Sequence, residues 1–67
     1  MRLNLLVEPC QGGRCPAVYE TDRGTIVVQG ARLACGDRPP GVPDHEELVE
    51  IPAELLRAAA ARLAEPQ

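Results

Sequence analysis

Serine, lysine, phenylalanine and tryptophan do not occur in this 67-residue chain, and tyrosine occurs once, as Tyr19. Each absence excludes something. Without serine there is no Ser-His-Asp nucleophile. Without Phe or Trp the core must come from sixteen Leu, Ile and Val side chains and nine alanines, which bury little area each. A chain this short buries only about 60% of the surface it would expose when unfolded. Such a core supplies about 3–5 kcal/mol unaided, so a staple, a metal or a partner chain is expected.

The cations are seven arginines against ten carboxylates, for a net charge of −3. An acidic chain without a basic cluster lacks the footprint that holds a phosphate backbone, so direct nucleic-acid binding is excluded as its main activity. The apolar run at residues 3–7 is interrupted by Asn4 and stops at Glu8. A secretory signal needs 7–15 apolar residues and a small-residue cleavage site. Nothing approaches the roughly 20 apolar residues of a membrane span. The expected location is the cytoplasm, where thiols are usually kept reduced.

The segment "LNLLV" (3–7) is β-competent and is followed by Pro9, which predicts a first strand at a sheet edge. Residues 17–20 and 25–30 flank Thr21-Asp22-Arg23-Gly24, a good hairpin connection. There Asp22 can bond its local backbone and Gly24 can take the positive φ of a type I turn with a bulge. The β-branched run Ile26, Val27, Val28 predicts a central strand covered, at least in part, on both faces. Residues 34–47 hold three prolines and two glycines and read as a loop. Alternation over 47–51 predicts a further strand, with Val49 and Ile51 on one face. A helix over 52–65 follows, with Pro52 as its first residue and Glu54 in its first turn. Its predicted apolar stripe is Pro52, Leu56, Ala59 and Leu63, with Leu55 and Ala60 beside it. The expected fold is one small α+β domain over residues 1–67. A small antiparallel sheet of three to four strands carries one C-terminal helix packed on it.

The stretch "CQGGRC" (10–15) has the most chemistry to offer. Zinc takes three or four thiolate or imidazole ligands. Cys10, Cys15 and Cys35 with His45 make a candidate Cys3His set, although the second pair, with nine residues between its members, forms no tight knuckle. A Cys10–Cys15 disulfide is disfavoured by a reducing compartment, and a redox pair more often has C-x-x-C spacing at a helix start. The favoured reading is that Cys10 and Cys15 are small apolar groups under a Gly-Gly turn, with a zinc-stabilised domain as the alternative. "DHEE" (44–47) reads as a solvated loop rather than a metal or general-base site. With no oxyanion hole or pocket in sight, the chain is expected not to be an enzyme and to need no cofactor. The alanine-rich helix offers Leu56, Ala60 and Leu63 as a smooth surface for another protein. A thin core and acidic charge fit a protein-binding module with a basic partner, or a homodimer.

The strings "CPAVYETDRGTIVVQGARL" and "ELVEIPAELLRAA" resemble a group of small actinobacterial proteins. These carry C-x4-C-P, T-D-R-G-T, V-V-Q-G and V-x-I-P-x-x-L-L in the same order, so the resemblance spans roughly residues 10–63. Such proteins are often encoded beside helix-turn-helix regulators. Their layout is similar to a broader actinobacterial domain found with the same regulators, whose Trp-rich and R-D-S-K-type signatures this chain lacks. The resemblance implies an accessory partner of a helix-turn-helix transcription regulator. It carries over no catalytic residue, matches Cys10 and Cys15 to the group's pair, and offers no partner for Cys35.

Overall fold

The computed structural model describes residues 1–8 and 16–65. The chain is α+β. Strands β1 (Leu3–Val7), β2 (Ala17–Thr21) and β3 (Ile26–Gln29) form an antiparallel sheet in the order β1-β2-β3. Strands β4 (Ala31–Arg32) and β5 (Val49–Glu50) form a second, two-stranded sheet. Helix α1 (Ala53–Ala64) follows and packs against β1 and β2.

The β2–β3 hairpin forms where the turn residues place it. Gly24 has φ of +76°, a conformation that costs glycine nothing. Its N–H donates to the Thr21 carbonyl at 3.4 Å, and the Thr21 N–H donates to the Thr25 carbonyl at 2.9 Å. The side chain that bonds the turn is Thr21 rather than Asp22. Its Oγ1 accepts from the Arg23 and Thr25 amides at 3.1 and 3.2 Å and lies 2.7 Å from the Thr25 hydroxyl. Buried as it is, Thr21 carries no unmet hydrogen bond.

β1 lies at a sheet edge, as its flanking proline predicts, but β3 is not central. It forms the other edge, and Ile26 and Val28 are exposed. The helix packs chiefly over β1 and β2. The β-branched run therefore reported fit to a pleated surface rather than burial.

β1 and β2 pair Leu3 with Thr21, Asn4 with Glu20, and Leu5 with Tyr19; a bulge follows, after which Val7 pairs with Val18. The extra residue bends the strand and resets its alternation. Leu6 and Val7 consequently both pack on the core cluster of Val18, Leu55 and Ala59, which Ile51 also joins. The residues buried among those described are Ala17, Val18, Thr21, Leu55 and Ala59.

The strand expected over 47–51 is only Val49–Glu50, and its partner, β4, was not expected at all. Ala31 pairs with Glu50 and Arg32 with Val49, and the Leu33 N–H donates to the Leu48 carbonyl at 3.3 Å. Val49 stays exposed while Ile51 reaches the core. Gly30 links the two sheets, and a Cβ there would lie 2.5 Å from the Glu50 carbonyl oxygen. Only glycine lets the backbones approach so closely. The radius of gyration is 13.3 Å, against about 11 Å for a compact chain of this length.

Pro52 precedes the helix rather than opening it. Its φ of −60° suits a helix but its ψ of 142° is extended, and its carbonyl accepts from the Leu55 N–H at 3.0 Å. Glu54 stands in the first turn and Arg62 in the last, each favourable to the helix dipole. No helix among the described residues is long and apolar enough to cross a membrane.

Candidate functional site

Cys10 and Cys15, half of the candidate zinc set, lie outside the described residues. Cys35 is a free, exposed thiol that opens a 3-10 turn over Cys35–Asp37. That turn is held by backbone bonds: the Asp37 N–H donates to Ala34 at 3.0 Å and the Arg38 N–H to Cys35 at 3.4 Å. His45 is exposed, with Nε2 3.9 Å from Glu46 Oε2. Among the described residues no three His, Cys, Asp or Glu side chains gather as a metal-holding group.

In "DHEE" all four side chains are exposed. Glu47 accepts from Arg38 Nη1 at 3.0 Å, a pair that ties one end of the 34–47 loop to the other. The hydrogen bond from Arg38 holds the Glu47 carboxyl below its ordinary value of 4.5, aided by the charges of Arg38 and Arg32 and opposed by some desolvation. This is a clasp that joins the two ends of a loop.

An open groove of about 220 Å³ runs between the end of β1 and the start of α1, lined by Val7, Pro52, Glu54, Leu55 and Ala58. Its wall is apolar with one carboxylate. It lacks the convergent polar groups that orient a small substrate, and its size is below the usual range for a ligand pocket.

The helix leaves apolar side chains open on one side. It docks through Leu55 and Ala59, so of the predicted stripe Ala59 is buried while Leu56 and Leu63 stay 61% and 45% exposed, and Ala60 is exposed too. At about 100° per residue, Leu56, Ala60 and Leu63 share a face roughly a quarter turn from the buried one. Adjacent leucines at 55 and 56 give an apolar arc wider than the sheet can cover. Hydrophobic periodicity alone does not say which half of such an arc is buried. The three residues singled out for interaction thus lie together and unoccupied by the chain's own described residues.

No protein-family model, no curated protein and no solved structure matches this chain.

Proposed function

We propose that the chain is a non-enzymatic, cytoplasmic protein-interaction module. It acts as an accessory partner of a helix-turn-helix transcription regulator, with the contact carried by Leu56, Ala60 and Leu63. One observation carries the reading: two leucines on a single helix face are left to water, while the buried apolar core among the described residues is Ala17, Val18, Leu55 and Ala59. Exposed apolar faces of this kind mark protein contacts. The net charge of −3 complements a basic DNA-binding partner and opposes direct contact with nucleic acid. A chain without serine offers no serine nucleophile, and a binding module needs none.

The test is direct binding to a purified helix-turn-helix regulator of the kind the resemblance implies, followed by light scattering after gel filtration. A complex is expected for the wild type and for Leu5→Glu, and its loss for Leu56→Glu and Leu63→Glu. No complex with the wild type overturns the regulator reading. A complex indifferent to both helix substitutions moves the contact elsewhere.

A further inference from the structure

Strand β3 is a sheet edge whose backbone groups alternate in direction. Val27 and Gln29 stand opposite Tyr19 and Ala17, in phase with Thr21, whose N–H donates to the Thr25 carbonyl at 2.9 Å. In an antiparallel ladder every second pair exchanges both hydrogen bonds. Val27 and Gln29 therefore turn their N–H and C=O toward β2, while Ile26 and Val28 turn theirs outward. Among the described residues no backbone group meets those outward donors and acceptors. The side chains of Ile26 and Val28 share the face of Val18 and the helix. Since the helix packs chiefly over β1 and β2, they stay 43% and 37% exposed. The edge also lacks the usual blocks against strand pairing. Ile26–Gln29 holds no charge and no proline, and its register with β2 has no bulge. By contrast β1, the opposite edge, is bulged between Leu5 and Val7.

We propose that β3 pairs antiparallel with β3 of a second copy, joining the two three-stranded sheets into one of six strands. Unmet backbone groups in this pattern are answered by another strand, and the register is what favours a copy. Setting Ile26 opposite Val28 of the second copy forms four hydrogen bonds, and no outward N–H or C=O of these two residues is left over. The same register puts each exposed Ile26 beside an exposed Val28, a β-branched cross-strand pair made twice. The two-fold axis falls at Val27, so the contact closes on itself and leaves no β3 edge to extend. Because the strand is uncharged, two chains of net charge −3 set no carboxylates against each other along it. The contact is short, which places the dimer among the weak interfaces. It uses neither Leu56 nor Leu63, so it and the regulator reading stand or fall separately.

The experiment is sedimentation equilibrium from micromolar to near-millimolar concentration on the wild type, Val28→Pro, Leu3→Pro and Leu56→Glu. Val28→Pro removes one outward N–H and spares both amides that face β2; proline is tolerated where an edge strand faces solvent. Leu3→Pro is the matching change on β1, since Leu3 stands opposite Thr21, whose N–H already faces β3. The expected result is a mass rising to two chains for the wild type, Leu3→Pro and Leu56→Glu. Val28→Pro should stay a single chain with unchanged circular dichroism. A single-chain wild type throughout the range overturns the proposal, as does a dimer that survives Val28→Pro or a mass that climbs past two chains. Should Val28→Pro fail to fold, amide exchange of the wild type at the two ends of the range decides. Exchange at Ile26 and Val28 should slow several-fold at high concentration while Val27 does not change. Exchange at Ile26 and Val28 that is indifferent to concentration overturns the pairing.

Discussion

Val7 stands opposite Val18, one step out of phase with the pairing of Leu5 and Tyr19. Strict alternation would put Leu3, Leu5 and Val7 on one side of β1. The bulge between Leu5 and Val7 turns Val7 to the helix side, where it joins the core, and leaves Leu3 and Leu5 on the opposite face. The two substitutions Val7→Asp and Leu5→Asp should therefore differ in the monomer. A carboxylate at Val7 meets the Val18–Leu55 cluster and should unfold the protein, since an unpaired buried charge is among the costliest changes. At Leu5 it meets water in the single chain. Thermal melts at low micromolar concentration read the difference, and equal melting temperatures would refute the register.

Leu55 and Leu56 are neighbours in sequence with opposite environments. Leu55 is buried and Leu56 is exposed. Truncating Leu55 to alanine should cost about 2–5 kcal/mol, which is comparable to everything a core of this size supplies. Leu56→Ala should change stability by less than about 0.5 kcal/mol. Urea denaturation followed by circular dichroism measures both, and a larger loss at Leu56 would mean the helix is docked by its other half.

Gly30 is held to glycine by a carbonyl. A Cβ at this position would meet the Glu50 oxygen at 2.5 Å and Ile51 Cγ2 at 2.8 Å, and the first of these belongs to the backbone of β5. Relief requires β5 to shift, so Gly30→Ala should destabilise by about 1–3 kcal/mol, as overpacked sites do. Gly36→Ala is the control, because a Cβ there meets nothing within 4 Å. Amide exchange at Leu33, whose N–H bonds Leu48, should rise in the first variant and not in the second.

The legible parts of the fold were those written in local chemistry. Pro9 after an apolar run, Thr-Asp-Arg-Gly between two β-branched runs and Pro52 before an alanine-rich segment name their elements without help from distant residues. What the sequence did not disclose depends on contacts far along the chain. The pairing of Ala31–Arg32 with Val49–Glu50 joins two dipeptides with no periodicity of their own. The edge position of β3 follows from where the helix lands, and Val27 would look the same at the centre of a sheet. The candidate interaction residues were legible as an apolar helix face. That Leu55 rather than Leu56 would be buried was not, because both lie within one wide apolar arc. Cys35 and His45 illustrate the reverse case: residue types suited to zinc, placed on an exposed loop with no third ligand among the described residues.

Arg38 and Glu47 join the two ends of that loop at 3.0 Å, with Arg38 the more covered partner. The Arg38 hydrogen bond lowers the Glu47 pKa in the folded chain relative to the unfolded one. Folding is then favoured by this pair when Glu47 is ionised in both states, above its ordinary carboxyl value of 4.5. The contribution fades as pH falls through the lower, folded value. Its loss should appear only in acid, with no change between neutral pH and pH 6. Since Glu47 is open to solvent, salt should weaken the pair at every pH. An NMR titration of the Glu47 carboxyl should place its midpoint below that of an unpaired glutamate, and Arg38→Gln should return it upward. If the midpoint does not move in Arg38→Gln, the clasp is not formed in solution, and the loop carrying Cys35 and His45 is free of this restraint.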